Sequence, residues 1–164
     1  MSLGFVRFLI MPPAYYKYDD QDVFNFYSNI IKVIPDSKII LYNFEKLSGY
    51  KFSENIVYKL VENFPDQIIG VKDSSYNLFE KLKINNFSLM PGSESKLLKG
   101  LDLGCSGIIT ATTNATASLA RNVYENFTKK KEQNLNEKLC KIRAVFDQYN
   151  LISGCLLYTS PSPR

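Results

Sequence analysis

The 164-residue chain contains no histidine, no tryptophan and only three cysteines. Each shortage narrows what the protein can do. Without histidine the chain lacks the commonest metal ligand and the commonest general base, so any chemistry must run on lysine, tyrosine, serine, threonine or carboxylates. Cys105, Cys140 and Cys155 form no C-x-x-C pair and are odd in number. That argues against a disulfide or zinc framework and leads us to expect a reduced, cytoplasmic setting. No apolar run approaches the roughly 20 residues of a membrane span, and no signal-peptide pattern opens the chain. Nor does any G-x-G-x-x-G or G-x-x-x-x-G-K-[ST] follow a strand-like run, which removes the main support for a nucleotide-binding doubly wound sheet. Charge is modest too. Twenty basic and sixteen acidic residues leave a net +4. The one basic run, Lys129-Lys130-Lys131, reads as a solvated helix end and not as a nucleic-acid stripe.

What is present is an α/β pattern. Apolar residues make up 45% of the chain, enough for one domain with a real core, but the length falls short of the ~250 residues of a complete eight-fold βα barrel. Buried strands are expected at Phe5–Met11, Lys38–Asn43, Ile68–Lys72, Phe87–Met90 and Gly107–Ala111. Between them, helical spacing and capping residues predict helices from Asp19 to Ile34, from Ser53 to Phe64, from Ser75 to about Lys83, from Ser95 to Leu103 and from Thr112 to about Lys129. A last amphipathic helix follows from about Leu135 to Tyr149. Five strand–helix units in succession mean a parallel sheet.

The third strand carries the most chemistry. Ile68-Ile69-Gly70-Val71-Lys72-Asp73-Ser74-Ser75 is an apolar run that ends in a lysine, followed at once by small polar residues. Two readings stand. The lysine head snorkels into water from a strand end, or it is walled by apolar strands. In the second case desolvation disfavours the ammonium and frees the amine as a nucleophile toward carbonyl carbon.

Three segments in register, Leu41-Tyr42-Asn43 with Leu47-Ser48-Gly49, Gly70 to Ser75, and Gly107-Ile108-Ile109-Thr110 before Asn114, resemble the dihydrodipicolinate synthase and N-acetylneuraminate lyase family of pyruvate-handling class I aldolases. The resemblance spans residues 1–154. It implies a partial (β/α)8 barrel made of strands four to eight plus the start of the C-terminal helices, with the N-terminal strands missing. It implies an intact homotetramer and a reaction that needs neither metal nor organic cofactor. It also implies roles for residues. Lys72 forms a Schiff base with pyruvate, Tyr42 relays protons, and Tyr15 reaches a neighbouring subunit's site. Leu47, Ser74, Gly92, Glu94, Ile109 and Ala111 line the substrate channel. The residues alone also allow Tyr42 as a core aromatic, Tyr15 as an ordinary loop tyrosine and Glu94 as a first-turn helix acid.

Departures from the family pattern bear on substrate. Dihydrodipicolinate synthases have an arginine at the position of Leu47, and a leucine makes no charge-assisted contact with a carboxylate. Sialic acid lyases are similar at Leu47-Ser48-Gly49 but have an acidic pair at Glu94-Ser95, and Glu45 stands where proline is common. Asp73-Ser74-Ser75 resembles lyases of keto-deoxy sugar acids. The expected substrates are therefore pyruvate with an aldehyde, or the keto-deoxy sugar acid or sialic acid-like product of the two. Dihydrodipicolinate-forming activity and a non-catalytic keto-acid binder are the alternatives. Residues 155–164 resemble a translated adapter sequence joined to a broken reading frame and are set apart as a non-native tail. The fragment itself is expected to be inactive.

Overall fold

A computed structural model describes residues 4–159, which fall into two compact units that divide after Met90. The first unit alternates strands and helices: β1 (Arg7–Ile10), α1 (Asp20–Val33), β2 (Lys38–Asn43), α2 (Glu45–Ser48), α3 (Glu54–Asn63), β3 (Ile68–Asp73) and β4 (Ser88–Pro91). The strands form one sheet in the order β1-β2-β3-β4, with β1–β2 and β2–β3 parallel. This is the α/β, parallel-sheet class that the alternation predicts.

Local chemistry explains the helix starts. The Asp19 carboxylate accepts from the Asp22 amide at 2.8 Å, and Asp22 returns the bond to the Asp19 amide at 3.2 Å. This capping box satisfies two otherwise orphaned donors. Ser53 caps α3 by accepting from Ile56 N at 3.3 Å. The short helix α2 was not anticipated. It closes on Gly49, whose φ of 74° is a left-handed conformation that costs glycine little. Apolar faces of α1 (Val23, Tyr27, Ile31) and α3 (Ile56, Val57, Leu60) are buried, as are Ile39 and Leu41 of β2 and Ile68 and Val71 of β3. The Tyr27 hydroxyl reaches back to donate to Ile10 O at 2.8 Å, which settles its polar end in that core.

The two inner strands do not pair evenly. Ile39 lies opposite Ile68, but Ile40 lies opposite Gly70, so β3 carries one extra residue. From there on Tyr42 faces Lys72 and Asn43 faces Asp73. A single-residue advance exchanges the faces of a strand. It therefore decides that Tyr42 and Lys72 share the half-buried face, while Leu41, Val71, Asn43 and Asp73 share the buried one.

The second unit holds a 3₁₀ turn (Glu94–Lys96) and helices α4 (Leu97–Asp102), α5 (Thr113–Thr128), α6 (Asn136–Phe146) and α7 (Leu151–Thr159). Leu97, Leu101, Ala120, Val123 and Leu139 form its core.

Two expectations need correction. The sheet has four strands among the described residues, because Gly107–Ala111 is extended without being a strand. Its ladder-like bond is Ile109 N to Pro91 O at 3.2 Å, and one such bond does not make a ladder. The helix expected from Ser75 to Lys83 is a run of turns. The Asp73 carboxylate takes the amides of Leu78 and Phe79 at 2.8 and 2.9 Å, and Tyr76 adopts φ 57°, so the segment makes a single turn at Leu78–Leu82 and no helix. Helix α7 spans position 154. Cys155 is buried, while Ile152, Leu156 and Leu157 face outward. Residues 160–164 of the expected tail lie outside the described residues.

Gly70 permits the approach of β4 to β3. A Cβ at this position would lie 2.5 Å from Ser88 O and 3.0 Å from Ser88 Cβ. Gly70→Ala is expected to destabilise the chain by about 1–3 kcal/mol, the usual cost of overpacking against groups that cannot yield. Urea unfolding measures this, and an unchanged midpoint would mean that β4 is free to move aside.

Candidate functional site

In the first unit, β2 and β3 deliver Tyr42 and Lys72 side by side. The Lys72 Nζ stands 3.9 Å from the centroid of the Tyr42 ring, and that ring stacks on Phe44 with centroids 6.0 Å apart. Lys72 is half-buried, and its amine stands over an aromatic face of the kind that attracts a cation. A primary amine and a phenol at adjacent strand tips can serve one small electrophile between them.

The other expected residues of this unit differ in exposure. Ser74 follows β3 directly, and its amide donates to Asn43 O at 2.8 Å. Leu47, on α2, is 57% exposed. Tyr15 is 92% exposed, sits at φ 87° and meets Tyr16 edge-on at 4.9 Å. A bulky residue in the left-handed region is strained, and such strain collects where a side chain is held for a purpose.

Directly behind the pair lies a buried polar group that sequence reading did not assign. Asn43 and Asp73 are fully buried. Asn43 Nδ2 donates to Asp73 Oδ1 and to Asn77 Oδ1, each at 2.8 Å. Asn43 Oδ1 accepts from Phe52 N at 3.2 Å, and Asn77 Nδ2 donates to Phe52 O at 2.9 Å. The signal was available. In Ile39-Ile40-Leu41-Tyr42-Asn43 every second residue faces the core, so an asparagine falls at a core position, where it must be hydrogen-bonded.

In the second unit the expected residues follow β4. Glu94 is fully buried and its carboxylate is crowded with donors. Arg143 Nη1 donates to Oε2 at 3.0 Å, as does the Thr110 hydroxyl at the same distance. On Oε1, Thr112 makes a short contact and Thr116 lies at 3.1 Å. Arg143, buried as well, also donates to Asp147 at 2.8 Å. Burial alone pushes the Glu94 carboxyl up, but the bonds from Thr112, Arg143, its own backbone and Thr110 outweigh it and hold the group below its ordinary range. Of the two readings of Glu94, a first-turn acid and a channel-lining one, the geometry adds a third: a buried anchor for α6. Gly92, Ile109 and Ala111 are half-buried on the chain beside it. Arg143 lies 49 residues from Glu94 in sequence, and no local pattern pointed to the pair. Among the described residues, no group of three histidine, cysteine or acidic side chains is placed to hold a metal, and no helix is long and apolar enough to cross a membrane.

Removing Arg143 leaves a buried carboxylate without its cation. Arg143→Met is expected to cost about 3–5 kcal/mol at neutral pH. The pH dependence has a definite sign. Because the folded Glu94 carboxyl sits below its ordinary value, its contribution is complete above about pH 4.3 and is lost as pH falls through the folded value. In Arg143→Met the orphaned carboxyl takes a proton more readily, so the variant's deficit should narrow on acidification. Unfolding midpoints at a series of pH values measure both effects, and a deficit independent of pH would remove Glu94 from the account.

Comparison with known proteins agrees with this geometry. A sequence model of the dihydrodipicolinate synthetase family matches residues 1–154. The N-acetylneuraminate lyase of Clostridium perfringens is 31% identical over 128 residues, which are 76% of this chain and 43% of that protein. A 2-dehydro-3-deoxy-D-gluconate/2-dehydro-3-deoxy-phosphogluconate aldolase of Picrophilus torridus is 28% identical over 140 residues, 82% of this chain and 51% of that one. The chain thus spans about half the length of these relatives. Among solved structures, the 2-keto 3-deoxygluconate aldolase of P. torridus superposes with a TM-score of 0.78 at 25% identity, covering 92% of this chain and 57% of that one. The dihydrodipicolinate synthase of Acinetobacter baumannii, solved with pyruvate, gives 0.82 at 22% identity, covering 94% and 56%, and speaks for the fold alone. Since the family model covers residues 1–154, the chain belongs to the dihydrodipicolinate synthetase family.

Proposed function

We propose that this chain is the C-terminal portion, residues 1–154, of a barrel enzyme that makes or breaks a carbon–carbon bond next to pyruvate through a Schiff base on Lys72. The observation that carries the reading is the Lys72 amine poised 3.9 Å over the Tyr42 ring on the half-buried face of the sheet. The amine adds to the keto carbon, and loss of water leaves an iminium. Tyr42 hands a proton to the departing hydroxyl. The iminium draws electrons from the neighbouring carbon, which gives up a proton and becomes an enamine. The enamine nitrogen then gives its pair back to re-form the iminium while the enamine carbon bonds to the aldehyde carbon. The displaced carbonyl pair goes to the aldehyde oxygen, which takes a proton, and water hydrolyses the new iminium to release product and amine. Run in reverse, the same steps cleave a keto-deoxy acid.

The remaining residues take supporting parts in this reading. Ser74 lines the channel beside Lys72, and within the second unit Gly92, Ile109 and Ala111 flank Glu94, which acts through its hold on Thr110. Tyr15, strained and exposed, reaches the site of a second copy in a homotetramer. Within residues 1–164, β1 ends the sheet with Phe5, Val6 and Leu9 open to solvent. An apolar edge of this kind invites wrong pairing, so this polypeptide by itself is taken to be inactive.

Chemical trapping tests the nucleophile. In the full-length protein that contains this sequence, pyruvate with borohydride should add mass to the peptide carrying Lys72. Lys72→Arg should abolish the label, because a guanidinium stays protonated and forms no imine. Tyr42→Phe should slow turnover by about 10²-fold, the loss expected for one acid–base group. Labelling of another lysine would overturn the assignment.

Leu47 supports the substrate class. A leucine side chain offers no partner to a substrate carboxylate, and this one is largely exposed. Keto-deoxy sugar acids are therefore expected to give a higher kcat/KM than the pair of pyruvate and aspartate semialdehyde. The opposite order in steady-state kinetics would reassign the protein to dihydrodipicolinate formation.

A further inference from the structure

We propose that the buried bridge of Asn43, Asp73 and Asn77 sets the position of the reactive amine, with Asp73 a positioning residue for Lys72; this rests on the Schiff-base reading above. Asn43 and Asp73 follow Tyr42 and Lys72 directly and form the last rung of the β2–β3 ladder. Strand ends fray where the ladder stops, because no further rung holds them. Here the last rung has a side-chain bond across it, Asn43 Nδ2 to Asp73 Oδ1 at 2.8 Å, beside the main-chain bond from Ser74 N to Asn43 O. Asp73 Oδ2 gathers the amides of Leu78 and Phe79 at 2.8 and 2.9 Å, and Asn77 links Asn43 to Phe52 O. One carboxylate therefore ties the tip of β2, the tip of β3 and the 74–79 turn into one piece.

Its bonding also limits what else Asp73 can be. Both oxygens already accept, three donors in all, and the residue is fully buried on the face away from Lys72 Nζ. Three of its roughly four lone-pair sites are taken, and it is buried on the opposite face of the strand, out of a substrate's reach, so it acts through Lys72. Both Asn43 amide protons are likewise committed, to Asp73 and to Asn77, which fixes the orientation of that amide. Asp73→Asn keeps the shape but sets one amide N–H₂ against a donor, either Asn43 Nδ2 or the pair of main-chain amides. An error of about 1 Å in a reacting group costs up to about 10²-fold in rate.

The test is single-turnover pyruvate–borohydride trapping in the full-length protein that contains this sequence, read as a rate constant and as a final extent. In Asp73→Asn the rate constant at saturating pyruvate is expected to fall between about 10- and 10²-fold. The final extent and the half-saturating pyruvate concentration should stay unchanged. A role confined to folding would move the extent and leave the rate. The exchange Asn43→Asp with Asp73→Asn restores a donor–acceptor pair across the rung and should recover part of the rate. If Asp73→Asn does not fold, Asn77→Ala is read in its place, with a smaller slowing expected. Trapping at Lys72 with the unaltered rate in whichever variant folds overturns the positioning role and leaves the Schiff-base reading intact. No trapping at Lys72 in the unaltered protein overturns both.

Discussion

The rung on which Tyr42 meets Lys72 is the constraint from which the first unit's chemistry follows. Strand pairing by itself would not produce it. Continued at the offset of Ile39 and Ile68, Tyr42 would stand opposite Val71, and Lys72 would stand opposite Asn43. The extra residue in β3 shifts the pairing by one and brings phenol and amine onto the same face. Gly70 lies at that shift and also takes the close approach of Ser88 O. A side chain there would disturb the register and the β3–β4 contact together. The register is thus a local feature with a consequence two residues away, at the reacting atoms.

Much of this architecture could be read from residues alone. The apolar runs marked β1 to β4, and Asp19 and Ser53 marked the helix starts, because strands and caps are local properties of the chain. Membership of the family followed from three motifs in register. What stayed hidden depends on groups far apart in sequence. The segment after Ser75 carries small polar residues suited to starting a helix, yet the buried Asp73 takes its amides first and leaves turns. Gly107–Ala111 has a strand's composition, but a strand needs a neighbour along its length, and Ile109 N to Pro91 O is a single bond. Glu94 looked like an ordinary first-turn acid. Only the fold brings Arg143 to it across 49 residues.

The two buried carboxylates clarify the division of labour. Asp73 closes β3, and Glu94 follows β4 by three residues; each binds a loop to the body of its own unit. They do so with different partners. Asp73 draws on neutral donors, namely two main-chain amides and an asparagine. Glu94 draws on a guanidinium and threonine hydroxyls, and its net charge balance ties its contribution to pH. A neutral donor set holds geometry with little sensitivity to ionic surroundings, which suits a group beside a reacting amine. A charged set is stronger per bond but leaves a costly orphan when either partner is lost.

Once both carboxylates are occupied, few candidates remain for proton transfer. At the C-terminal ends of β2 and β3 the half-buried face carries Ile40, Tyr42 and Lys72, with Gly70 contributing no side chain and Lys38 at the far end of β2. Among these strand-tip side chains the phenol is the one acid–base group besides the amine itself. The proposed reaction accordingly uses the phenol for its proton steps. A phenol can serve there only if its ring is held, and here Phe44 stacks on it while the Lys72 amine stands over it. In that proposal the same ring orients the amine and carries the proton. Loss of the ring would disturb both functions, whereas loss of the hydroxyl alone would disturb only the second. That difference separates packing from acid–base chemistry at this position.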